Sequence, residues 1–137
     1  MSAASHEFLE HVGELELRIE APSREELFAE AARALGSEIL RGAPGSPDEA
    51  AMLVTLQAAD PAALLVEFLN EIVYRADAEG RVLTRFEFDR LTATEVRARG
   101  RGVRLRAASP VKAATYHGAM VAPAAGGGFV ARVILDI

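Results

Sequence analysis

Val111-Lys112-Ala113-Ala114-Thr115-Tyr116-His117-Gly118-Ala119-Met120-Val121, a break at Ala124-Ala125-Gly126-Gly127-Gly128, and Phe129-Val130-Ala131-Arg132-Val133-Ile134-Leu135-Asp136-Ile137 together form the stretch that organises this chain. Two strand-forming runs flank a glycine-rich turn, so the segment reads as a terminal β-hairpin. Val130, Val133, Ile134 and Leu135 carry the second run into ordered structure, where most chain ends fray. The expectation is that the Asp136 carboxylate and the α-carboxylate of Ile137 arrive at one fixed place. Two such anions repel, and more strongly as water is excluded, so they sit comfortably only beside a cation or a basic side chain.

Upstream of the hairpin, Val82, Thr84, Phe86 and Phe88 alternate with Arg85, Glu87 and Asp89, the period-two pattern of a strand. Ala93 to Gly100 reads as its hairpin partner, with Val96 and Ala98 keeping the apolar parity. Val103, Leu105 and Ala107 fall on the opposite phase, which predicts a bulge or loop at Arg99-Gly100-Arg101-Gly102. Pro110 opens the terminal hairpin.

The first part of the chain has a different rhythm. Leu15, Leu17 and Ile19 alternate with Glu14, Glu16, Arg18 and Glu20, as in a half-buried strand. Ser23 and Glu26 then form a capping box, and Leu27, Phe28, Ala31, Leu35 and Ile39 give one apolar helical stripe to about Leu40. Gly42, Pro44, Gly45 and Pro47 end it in a connector. A strand over about Ala51 to Gln57 leads to Asp60-Pro61, a cap residue with proline at the first helical position. Leu64, Leu65, Phe68, Leu69, Ile72 and Val73 form a second helix, closed near Gly80.

A shift of 37 residues places Leu17 on Val54, Ser23 on Asp60, Leu27 on Leu64 and Leu35 on Ile72. This is either the generic grammar of β-α units or an internal β-α duplication, which would lay two helices side by side on one sheet. The predicted order is β-α-β-α-β-β-β-β: an α+β fold of two helices packed on a mostly antiparallel sheet.

With 137 residues, the chain is expected to be one domain, residues 1–137, burying roughly 68% of its unfolded surface. Half its residues are hydrophobic and 26% charged, a globular composition. The absence of cysteine excludes disulfides and thiolate metal sites. No apolar run approaches the roughly 18 residues of a membrane span, and Met1 to Ser5 lacks the apolar core of a signal peptide. The expected location is cytoplasmic, with no membrane partner. A net charge of −5 argues against a surface-wide nucleic-acid footprint, and no DNA partner is expected.

Glu14, Asp136 and the Ile137 carboxylate are hard oxygen donors, a set that suits Ca²⁺, Mg²⁺ or Mn²⁺ and not zinc. On spacing alone a solvated glutamate and a solvated chain end are the commoner case. His117 is either a half-buried strand histidine or, with His11, a neighbour that orients the carboxylate cluster or meets a partner. Lys112 lies five residues before His117, so in an unbulged strand the two point to opposite faces. Arg97, Arg99, Arg101, Arg104 and Arg106 crowd into ten positions. Arg97, Arg99 and Arg101 fall on one strand face, as a phosphate-contacting stripe for RNA or as a solvated face that discourages edge pairing. No aromatic residue interleaves them, so a stacking platform is missing. Nothing resembles a catalytic apparatus: there is no Walker A loop, no G-x-S-x-G elbow and no H-E-x-x-H. No organic cofactor is expected.

Val111 to Gly118, followed by Ala131 to Ile137, resembles the archease family, whose members carry a VKAxTYHG motif and a V-x-LDI-type terminus. Glu10-His11 and Glu14 are similar to the E-H-x-x-D-x-G opening of that family, with Glu14 where the family usually has Asp. The arginine-rich segment departs most from archeases, which carry a longer acidic, His-containing loop before the VKA motif. The resemblance implies a divalent cation held by Glu14, Asp136 and Ile137. It also implies an accessory protein rather than an enzyme, one that assists an RtcB-type RNA ligase joining 2′,3′-cyclic phosphate or 3′-phosphate ends to a 5′-hydroxyl. Archeases promote guanylylation of that ligase and its multiple turnover in tRNA splicing and processing, which implies indirect contact with tRNA or other RNA. The alternative from another class is an RNA-binding or chaperone-like module acting through the Arg97 to Arg106 stripe.

Overall fold

Alternation in Glu14-Leu15-Glu16-Leu17-Arg18-Ile19-Glu20 puts Leu15, Leu17 and Ile19 on one face, and all three are buried. The structure, a computed structural model, describes residues 3–43, 45–105 and 109–137. The elements run β1 (Ser5–His11), β2 (Glu14–Ala21), α1 (Arg24–Leu40), β3 (Ser46–Gln57), α2 (Pro61–Glu79), β4 (Arg81–Leu91), β5 (Glu95–Arg104), β6 (Ala113–Pro123) and β7 (Phe129–Asp136). The expected β-α-β-α-β-β-β-β series is present, preceded by one further strand, and the fold is α+β. β1 has no alternation to announce it. It is an edge strand held by its ladder to β2 across the Val12-Gly13 turn, where Gly13 takes φ +73°, and by His6 Nδ1, 2.5 Å from Glu30 Oε2 on α1.

Strands divide between two antiparallel sheets, ordered β1-β2-β7-β6 and β3-β5-β4. This corrects the expectation that a repeat would lay both helices on one sheet, because β2 and β3 enter different sheets. The repeat survives in the caps. Ser23 Oγ accepts the Glu26 amide at 3.2 Å and Asp60 Oδ1 accepts the Ala63 amide at 2.8 Å. In the first cap, the Glu26 carboxylate accepts the Ser23 hydroxyl and does not reach the Ser23 backbone amide. Arg41 and Gly80, both left-handed, close the two helices.

The helices fill the space between the sheets, α1 against β2 and β4, α2 against β6, β4 and β3. Phe68 is the hub of that core: its ring lies 5.3 Å from Phe28 on α1 and 4.8 Å from Phe86 on β4. α2 also closes one sheet edge. Asn70 accepts the Ala114 amide at 2.8 Å and donates to the Ala114 carbonyl at 3.0 Å, satisfying an edge of β6 as a neighbouring strand would.

β5 runs unbroken from Glu95 to Arg104 as the central strand of its sheet, so the bulge predicted at Arg99 to Gly102 is not in that strand. Val103 does lie on the arginine face. The irregularities are in its neighbours, at Asp48/Met52 in β3 and at Leu83/Arg85 and Phe88/Arg90 in β4. The glycines account for the one at Leu83/Arg85. A Cβ at Gly102 would lie 1.8 Å from the Val82 carbonyl oxygen, and one at Gly100 2.7 Å from Phe86 Cε1, so these positions admit neighbours that a side chain would hold off. β3 starts earlier than expected because Pro47, on an edge strand, has no ladder amide to lose.

Gly102→Ala forces a methyl group into backbone that cannot rotate away. It is expected to destabilise the fold by about 1–3 kcal/mol. Gly126→Ala, with nothing within 4 Å of the added carbon, should stay within about 0.5 kcal/mol of the parent. Urea unfolding measures both, and equal midpoints for the two variants would contradict the packing described.

Candidate metal centre

β2 and β7 pair in an unbroken register from Glu14↔Asp136 to Ala21↔Phe129. Directly opposed residues in an antiparallel pair share a face, so the Glu14 and Asp136 side chains leave the same side of the sheet as neighbours. Extending that row across four strands gives His11, Glu14, Asp136 and Ala113. Because Leu15 and Leu135 point into the core, this row faces away from it, and both carboxylates are exposed. The Ile137 amide donates to the Gly13 carbonyl at 3.2 Å, and the Lys112 amide to the Asp136 carbonyl at 2.8 Å. Backbone bonds thus fix Ile137 beside the row.

Among the described residues, neither Glu14 nor Asp136 has a basic side chain within ion-pairing distance. Two facing carboxylates without compensation are the arrangement a cation relieves. No cluster of three His, Cys, Asp or Glu side chains assembles among the described residues. The protein therefore offers two side chains and the main-chain oxygen of Ile137, an all-oxygen set suited to a hard cation whose remaining ligands are water or a partner's groups. The residues present fit such an ion.

The profile of the Archease protein family (MTH1598/TM1083) matches residues 6–137. The chain belongs to the archease family. Its structure is similar to the crystal structure of an archease from Thermotoga maritima described as a possible chaperone, with 20% identity, TM-score 0.68 and 94% of each chain covered. It is also similar to the solution structure of Methanobacterium thermoautotrophicum protein 1598, with 21% identity and TM-score 0.69, covering 96% of this archease and 98% of that chain. At such identities these likenesses speak for the fold alone. A search of curated proteins finds no match.

The other expected residues of this archease are less closely gathered. His11 is opposite Glu14 in register, yet its ring leans toward Glu16, with Nε2 3.6 Å from Oε1. His117 is exposed in a wide bulge of β6 between Thr115 and Met120. That bulge intervenes between Lys112 and His117, so simple alternation does not relate the two side chains. Tyr116, beside His117, lies near Glu67 of α2, whose carboxylate raises the phenol above its usual range. On the other sheet, Arg99 pairs with Glu87 at 3.4 Å and Asp89 at 2.9 Å, and Arg101 with Glu87 at 3.0 Å. Arg104 pairs with Asp48 at 2.9 Å, Arg97 stays exposed opposite Thr55, and Arg106 lies outside the described residues. Cross-strand carboxylates thus neutralise much of the stripe, as a solvated face requires.

Glu16 was not singled out from the sequence. It is 4% exposed, on the water-facing side of β2, with Arg18 Nε at 2.6 Å and Arg132 Nε at 3.1 Å. Hydrogen bonds from Arg132 first, then Arg18, lower its pKa from the ordinary 4.5 to about 2. The available signal was Arg132, a lone charge inside an apolar strand, which needs an anion nearby.

A carboxyl group whose folded-state pKa is lowered favours the folded state while ionised, so its contribution is complete above about pH 4.5 and fades as pH falls toward about 2. The stability gap between the parent and Glu16→Gln should therefore be largest near neutral pH and shrink through that window. Denaturant midpoints measured at pH 6 and at stepwise lower pH check it. A gap independent of pH would mean that Glu16 is not held ionised by its arginines.

Proposed function

We propose that this archease is an accessory protein, not itself an enzyme, that activates an RtcB-type RNA ligase by promoting its guanylylation and multiple turnover in tRNA splicing or RNA repair. The observation that carries the proposal is the uncompensated Glu14 and Asp136 pair, set face to face by the β2 to β7 register with Ile137 tied beside it. In this reading Glu14, Asp136 and Ile137 hold a divalent cation, Ca²⁺, Mg²⁺ or Mn²⁺, which when bound supplies positive charge for phosphate or nucleotide groups. The chain's own part is to keep both carboxylates at one end of a rigid sheet, where a partner can reach them.

Surface chemistry supports a protein partner at that end. Val12, in the turn before Glu14, and Ile137 are exposed apolar side chains flanking the carboxylates, and Tyr116 is exposed on β6. Contact with RNA is then indirect, through the ligase. The location consistent with this role is the cytoplasm, and no helix among the described residues is long and apolar enough to cross a membrane. The alternative, RNA binding through Arg97 to Arg106, is weakened by the carboxylates already paired with Arg99 and Arg101.

Asp136→Asn and Glu14→Gln keep the shape of the site and remove charge. Each is expected to weaken Mn²⁺ binding, read by electron paramagnetic resonance, and to cut stimulation of ligase guanylylation by at least about tenfold, with the unfolding transition intact. Undiminished stimulation by both variants would defeat the proposal.

A further inference from the structure

Arg132 uses all three nitrogens of its guanidinium, and it uses them on two strands. Nε and Nη2 reach Glu16 of β2 at 3.1 Å and 3.2 Å, while Nη1 donates to the Gly118 carbonyl of β6 at 3.0 Å. Gly118 is itself shaped around this contact. It takes φ +68°, and a Cβ there would fall 2.5 Å from Nη1, so the guanidinium occupies the space that any side chain at 118 would need.

The contact lies inside the wide bulge of β6. Between the pairs Thr115↔Ile134 and Met120↔Arg132, four residues of β6, Tyr116 to Ala119, stand against Val133 alone, so ladder bonds do not set where His117 goes. Arg132 restrains that segment by the next residue. At its other end Glu16 is 3.6 Å from the His11 ring and two residues from Glu14, about 7 Å along the strand. With Glu16 buried but the Arg132 side chain 38% exposed, the ion pair itself adds little stability, whereas a fork bonded to two strands imposes one geometry.

We propose that the Glu16–Arg132 pair is a positioning strut: it fixes the His117 bulge on one side and the His11 ring on the other relative to Glu14 and Asp136, while touching neither carboxylate. Arg132 and Glu16 are positioning residues for the cation site, and the inference rests on the reading of that site given above. The strut makes the two histidines interdependent although they lie on opposite edge strands of the sheet.

The test uses the isotope-labelled full chain without metal, followed by NMR, and then Mn²⁺ titration. Arg132→Met keeps the length of the side chain and removes the fork. It should shift the ring resonances of both His11 and His117 while leaving the core methyl groups of Val133 and Leu135 in place. Gly118→Ala, which pushes on Nη1 from the β6 side, should shift the His11 ring on the far side of the sheet. With the guanidinium already gone, the alanine should have no further effect on His11 in the double variant. Arg132→Lys, a charge without the fork, should not restore the parent spectrum. Mn²⁺ affinity should fall about tenfold or more in Arg132→Met. His11 resonances unmoved in both Arg132→Met and Gly118→Ala would overturn the strut, and so would additive shifts in the double variant. If Arg132→Met fails to fold, Gly118→Ala and Arg132→Lys decide the matter by the same resonances. Absence of Mn²⁺ binding by the parent chain would instead sink the cation reading, with the strut still decided by the metal-free spectra.

Discussion

Backbone hydrogen bonds between β2 and β7 run without a break from Glu14↔Asp136 to Ala21↔Phe129, joining a strand near the start of the sequence to its last one. The two strands are the central pair of the four-stranded sheet, with β1 and β6 outside them. Side-chain direction in a strand has a period of two, so a register slip of one residue would turn Leu15, Leu17 and Ile19 out of the core. Burial of those side chains, and of Val133 and Leu135 opposite them, therefore locks the register. The juxtaposition of Glu14 and Asp136 is a by-product of that lock.

Two glutamates on the same face of β2 meet different electrostatic conditions. Glu16 sits mid-strand, under two guanidinium groups, and its ionised form is strongly favoured. Glu14 sits one repeat further along, at the sheet end, facing another carboxylate across the ladder. One is paired with two guanidinium groups, and the other has no basic partner among the described residues. Arg18 and Arg132 account for the contrast, because both guanidinium groups reach Glu16. The second sheet repeats the satisfied case several times, with Glu87, Asp89 and Asp48 each matched to arginines of β5. The four-stranded sheet is acid-rich, with six acidic residues against two arginines, whereas the three-stranded sheet has five against seven, so carboxylates at the end of the first have fewer cations within reach.

Local periodicity and punctuation were enough for both helices, their caps at Ser23 and Asp60, the strand face of β2 and the terminal hairpin, because each depends on residues within a few positions of one another. The motif-bearing residues near both ends of the chain were legible in the same way, as was the acidic character of the proposed ligands. Several features were not legible. β1 carries no alternation, since an edge strand recruited by a neighbour's ladder needs none. In β4 the break at Leu83/Arg85 sets Leu83, and not Val82, on the face of Phe86 and Phe88. That β4 bulge lies where Gly100 and Gly102 let the strand close in. Glu16 looked like any solvated member of an alternating strand until Arg132 arrived from residues more than a hundred positions away. By itself, then, the sequence determined the elements, the faces they bury and the chemistry available. Only the tertiary structure decided which charges meet, because strand pairing between distant segments, and not local spacing, sets the distance between them.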